Sequence, residues 1–180
     1  MVKRNSRHAF TLIEAALTTV IVGTGVLSIM AAQQAYHRKN DWAQRSGTAI
    51  LLANEIREMT LSLPLDDPLS GSSNLGPEGG EALIVDYDDL DDFAGTVTNG
   101  FGAGLTIDPP IDALRQPIPN MAGWSQQIQV ENVLPSFVSA TLTQPLGTTE
   151  LMRVTVNVRY QGPNDPNPNA ITQLRWLVGR

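Results

Sequence analysis

From Phe10 to Ala32 the sequence reads FTLIEAALTTVIVGTGVLSIMAA, 23 residues with a single charged side chain, Glu14. At about 1.5 Å of rise per residue, a helix of this length crosses a hydrocarbon layer of about 30 Å. Lys3, Arg4 and Arg7 precede it with no acid among them, the charge bias that holds the start of a membrane helix on the cytoplasmic side. Glu14 is the costly residue. An ionisable group at the centre of a span costs ~2.5–3.5 kcal/mol on insertion scales, and less near an end. Two simple readings of the stretch leave something unexplained. A cleaved secretory signal has an apolar part of about 7–15 residues and a small-x-small cleavage site. This run is longer, and Ala31 and Ala32 are preceded two positions earlier by Ile29 and Met30. An ordinary signal anchor explains the length and the flanking cations but not the carboxylate.

The rest of the chain excludes several classes. Its 180 residues, with one apolar span and no internal repeat, predict one further domain. The net charge is −6, and removing Lys3, Arg4 and Arg7 leaves −9, so a nucleic-acid groove, which needs positive potential, is not expected. There is no cysteine, and the two histidines are His8 and His37. Disulfides, thiolate metal sites and a histidine-based catalytic cluster are therefore not expected. G-x-S-x-G, P-loop, H-E-x-x-H and Rossmann glycine patterns are all missing, and no enzymatic activity is predicted.

The residues Ala9-Phe10-Thr11-Leu12-Ile13-Glu14, following a short basic leader, resemble the class III signal of type IV prepilins and pseudopilins. With the unbroken helix beyond it and the Ala49–Met59 stretch, AILLANEIREM, the chain is most similar to PilV-type minor pilins and the related minor pseudopilin of type II secretion. The resemblance implies a pilin fold, α+β, with a long N-terminal helix packed on a C-terminal antiparallel sheet. It implies that prepilin peptidase removes residues 1–9 by cutting between Ala9 and Phe10, where the family usually carries Gly before the cut. Phe10 would then be the N-methylated N-terminus and Glu14 the carboxylate used in assembly. Its implied role is to help initiate, prime or cap a type IV pilus or type II secretion pseudopilus. The implied partners are other pilin or pseudopilin subunits, the peptidase/methyltransferase, the assembly platform and the lipid bilayer. The implied location is the bacterial inner membrane, single-pass, N-terminus cytoplasmic and head extracytoplasmic. Pairing of Glu14 with a neighbour's protonated α-amino group in low dielectric would turn its cost in the lone subunit into an incentive to assemble. The alternative function is a membrane-anchored binding module that does not polymerise, with an acidic head able to bind Ca²⁺.

Residues 10–32 thus form the expected membrane helix and 33–63 its amphipathic continuation. Trp42, Ala49, Ile56 and Leu63 recur every seven residues, with Leu52 and Met59 between them, a stripe suited to cover the chain's own sheet. Pro64 and Pro68 end the helix. Residues 64–180 form the expected head, with acidic loops over 66–123 and the sheet over 124–180. Residues 66–112 contain eleven acids and no Lys or Arg. Within them Asp86, Asp88, Asp89, Asp91 and Asp92 cluster. Oxygen-rich clusters suit Ca²⁺, but the spacing does not match an EF-hand, so a solvated acidic loop is the expectation and no cofactor is required. Asn99-Gly100 marks a turn. Strands are predicted at Trp124–Val130, 137–143, Met152–Tyr160 and Leu174–Val178, with a short one at 82–85.

Overall fold

The computed structural model describes residues 11–69, 71, 74–139 and 141–179. Helix α1 spans Leu12–Thr60, 49 residues, and its length is the element that the apolar run and the Pro-free continuation predict. The chain divides between Gln44 and Arg45 into two units. In the first, every described residue is exposed, and the segment is long and apolar enough to cross a membrane. Leu17, Val20, Ile21, Leu27 and Ile29 each have 61–68 % of their surface open. The few polar side chains inside the run satisfy themselves locally. Thr18 Oγ1 donates to Glu14 O at 2.7 Å, Thr19 Oγ1 to Ala15 O at 2.9 Å and Ser28 Oγ to Thr24 O at 2.8 Å. Hydroxyls bonded this way carry little penalty into a bilayer.

In the second unit the same helix is amphipathic. Ala49, Leu52, Ala53, Ile56, Met59 and Thr60 are buried, the i, i+3, i+4, i+7 spacing that puts them on one face. They pack on a sheet and so form the α+β arrangement expected of the sequence. A small hairpin joins β1 (Val97–Thr98) to β2 (Phe101–Gly102) through Asn99 and Gly100. Both turn residues have positive φ, 53° and 82°, as a two-residue type I′ turn requires. The main sheet is antiparallel in the order β3 (Leu105–Ile107), β4 (Trp124–Asn132), β5 (Leu151–Tyr160), β6 (Asn169–Gly179). Ile128 pairs with Val156, Val130 with Val154, and Val154 with Trp176. These positions share the face covered by α1, whereas Glu131, Arg153, Thr155 and Arg175 fall on the other. Glu131 and Arg153 are direct cross-strand partners and form an ion pair at 2.8 Å.

Gln126 occupies an inward position in β4 yet is polar and fully buried. Its amide satisfies both sides of the gap it fills. Nε2 donates to Leu52 O of α1 at 2.9 Å and to Ile111 O at 3.0 Å, and Oε1 accepts from Ile111 N at 2.9 Å. One side chain therefore ties helix, sheet and the loop after β3 together.

Four sequence expectations are corrected. The helix ends at Thr60, not Leu63, with the Thr60 hydroxyl bonded back to Ile56 O at 2.9 Å. Trp42, placed on the stripe by spacing, is 67 % exposed, because it precedes the first buried turn at Ala49. Residues 82–85 form a turn, and the carbonyls of Ile84 and Val85 are taken by Arg115 instead of a strand. Residues 137–143 contain no strand among those described, and Phe137 and Leu142 are 60 % and 70 % exposed. β3 covers only Gln126–Ile128 of the β4 edge, and the connection meets that edge further along in a single bridge, Gln144 to Asn132, so its strand propensity is not realised as a ladder.

Candidate functional site

Two sets of carboxylates stand out, one on each unit. The first is Glu14. Thr11 precedes α1 and its Oγ1 accepts from Glu14 N at 3.3 Å, while Thr11 O accepts from Glu14 N at 3.0 Å and Ala15 N at 3.1 Å. Thr-x-x-Glu at a helix start is the capping-box sequence, and an acid in the first turn also complements the helix dipole. The T-x-x-E signature was available in the sequence, and the bond observed makes Thr11 the capping side chain, with Glu14 supplying its backbone N–H. Its carboxylate has no ion-pair partner among the described residues. Ala9 and Phe10, the expected cleavage pair, lie outside the described residues.

The second set is in the head. A single turn of 3-10 helix, Asp91–Ala94, lies against β4, with Phe93 and Leu90 fully buried beside it. Tyr87 stacks edge-on against Phe93, ring centroids 5.2 Å apart, and Leu90 N donates to Pro64 O at 2.9 Å. These apolar anchors draw the acids between them inward. Asp89, Asp91 and Asp92 are all fully buried, which corrects the expectation of a solvated loop. Asp86 and Asp88 are exposed, as that expectation had them. Asp86 belongs to neither carboxylate group of the cluster.

Each buried carboxylate spends one oxygen on the backbone. Asp92 Oδ2 accepts from Asp88 N at 3.1 Å and Asp89 N at 3.3 Å, and Asp89 Oδ1 accepts from Asp92 N at 3.1 Å. Asp91 Oδ2 accepts from Gly76 N at 3.2 Å. Gly76 has φ +78°, and a Cβ there would meet Gly95 O and Val97 Cγ2, each at 2.8 Å, so glycine lets this loop close over the turn. The second oxygens, Asp89 Oδ2, Asp91 Oδ1 and Asp92 Oδ1, are buried without a partner, as are both Glu78 oxygens. One carboxylate oxygen each from Glu78, Asp89 and Asp92 lie within 4.8 Å of one another, and so do those of Glu81, Asp88 and Asp92.

No ion pair among the described residues reaches Glu78, Asp89, Asp91 or Asp92. Arg115, the cation of a neighbouring loop, spends its Nη1 on the backbone carbonyls of Ile84, Val85 and Tyr87 at 3.2, 3.0 and 2.6 Å. Burial, followed by the adjacent Asp91, pushes Asp89 up to about 8. Burial and then Asp89 push Asp92 up to about 7. Glu78 rises to about 7, through burial first and then Glu81, and Asp91 is raised by burial. Carboxylates gathered this way hold either protons or a cation. Glu78 and Glu81 were not among the acids singled out from sequence. Their signal was only membership of the same Lys- and Arg-free stretch. No family model, curated protein or solved structure matches the chain.

Proposed function

We propose that the chain is a minor pilin or pseudopilin, a structural subunit cut between Ala9 and Phe10, methylated on Phe10, and assembled through its N-terminal helix in the inner membrane. The observation that carries the reading is the exposed start of α1. Residues 11–44 are apolar over most of their length and entirely exposed, so this segment needs lipid or other helices around it. At its first turn it presents one carboxylate, Glu14, with no counterion among the described residues. A carboxylate in that setting is stabilised when an incoming positive group reaches it, and a newly exposed α-amino group at Phe10 would be such a group. Side-by-side packing of these helices would build the filament core and leave the sheet-bearing head outside.

The test is mass spectrometry of the mature N-terminus after expression with a prepilin peptidase. A chain beginning with methylated Phe10 is expected. An intact Met1, or a cut near Ala32, would sink the reading and favour the membrane-anchored binding module.

A further inference from the structure

We infer that Glu78, Asp89 and Asp92 form a binding site for one Ca²⁺ ion in the head, independent of how the N-terminal helix is used. Acidity alone does not lead there, since exposed acidic loops are common. What singles out this place is that Asp89 and Asp92 are fully buried while Asp89 Oδ2 and Asp92 Oδ1 have no hydrogen-bond partner. The two oxygens of Glu78 are likewise buried and unpartnered.

The opposite oxygens of Asp89 and Asp92 are held by backbone N–H groups of residues 88, 89 and 92, which locks these two carboxylates in place. Glu78, Asp89 and Asp92 contribute oxygens within 4.8 Å of one another, the separation at which oxygens about 2.4 Å from a common ion can lie. Water brings no charge to offset the carboxylates, so without a cation they are left to hold protons. A divalent cation supplies the positive charge that no side chain among the described residues provides there.

The donor set is all oxygen, with no His or Cys, which selects a hard cation. Calcium fits better than magnesium. The ligands come from an irregular loop and a 3-10 turn, and Ca²⁺ accepts irregular and bidentate coordination whereas Mg²⁺ demands a near-ideal octahedron. Asp92 belongs to both carboxylate groups, with Glu81 and Asp88 completing the second, which makes it the first residue to test.

The experiment uses the full chain in detergent, stripped with chelator and dialysed, then titrated with CaCl₂ by calorimetry and followed by thermal unfolding. Saturable binding of one Ca²⁺ per chain is expected, with unfolding of the head raised by about 5–10 °C at a hundredfold excess over Kd. Asp92→Asn should weaken binding at least about tenfold. Its metal-free unfolding temperature should be no lower than the parent's, because the substitution removes one repelling charge. If Asp92→Asn does not fold, Glu78→Gln decides the matter by the same loss of affinity. Failure to bind at millimolar CaCl₂ overturns the inference, as does unchanged affinity in the variant that decides. A larger stabilisation by MgCl₂ than by CaCl₂ at equal concentration overturns the assignment to calcium.

Discussion

The start of α1 and the turn after Tyr87 handle their carboxylates in opposite ways. Glu14 is exposed on a stretch of helix whose other side chains are mostly apolar. Asp89, Asp91 and Asp92 are buried in a head whose loops are acidic and polar. In the first case the cost comes from whatever surrounds the chain, and in the second from the chain's own interior. The difference teaches what each site lacks. Glu14 has no ion-pair partner among the described residues, and in the function proposed above the positive group that meets it comes from another subunit. The head cluster is already enclosed, its carboxylate oxygens buried and unpartnered, and a proton or a metal ion would offset its charge.

The same helix makes the contrast measurable, since it is unburied in residues 11–45 and a core element near its end. Ile56 is fully buried, and we predict that Ile56→Ala lowers the stability of the head by about 2–5 kcal/mol in denaturant titrations. Ile21→Ala, at a position 61 % exposed, should leave that value within about 0.5 kcal/mol. Equal losses from the two substitutions would erase the distinction between the regions. Gln126→Leu keeps the volume but leaves Ile111 N–H buried without its partner, and a loss of about 1–3 kcal/mol is expected.

The buried acids give the head an inverted pH dependence when metal is removed. Their folded-state pKa values, about 8 for Asp89 and about 7 for Asp92 and Glu78, lie above the ordinary carboxylate value of about 4. The folded chain then keeps protons that the unfolded chain releases. Glu81 and Asp91 add to the repulsion, and Arg115 faces the backbone beside them. Stability of the chelated protein is highest near pH 4 and below, and falls as pH rises from about 4 to about 8. Thermal unfolding across that range checks it, and a rise in stability with pH would contradict the burial described for these groups. The smallest effect belongs to Glu131→Gln, which breaks the pair with Arg153 on the polar sheet face. Its cost should be under about 1 kcal/mol, with added salt reducing it further.

Much of the fold was legible. Alternation along Met152–Tyr160 and Trp124–Val130 marked β5 and β4, and the 49-52-56-59 spacing marked the face of α1 that meets them. FVSATLT has strand propensity, but propensity alone does not make a strand, and the connection is joined to β4 only by the bridge from Gln144 to Asn132. LTI at residues 105–107 is too short to announce itself, yet it becomes β3 because it pairs with Gln126–Ile128 of β4. The acidic run was visible as composition, whereas its burial was not. That burial depends on Gly76 reaching Asp91 from 15 residues away, a contact that no local pattern reports. Glu14 was legible as an anomaly in an apolar helix, and T-x-x-E was there to be read as a helix start, with Thr11 the cap that the hydrogen bond shows.

The role proposed for Glu14 is tested in one measurement: incorporation of Glu14→Gln and Glu14→Ala subunits into filaments, with membrane insertion followed in parallel. Glutamine preserves a capping-box side chain but removes the charge. If the carboxylate is a docking partner for a neighbour's α-amino group, both variants insert, and both enter filaments at least about tenfold less than the parent. Parent-level incorporation of Glu14→Gln, with only Glu14→Ala impaired, would show that Glu14 serves the helix start alone and would contradict the assembly role proposed for it.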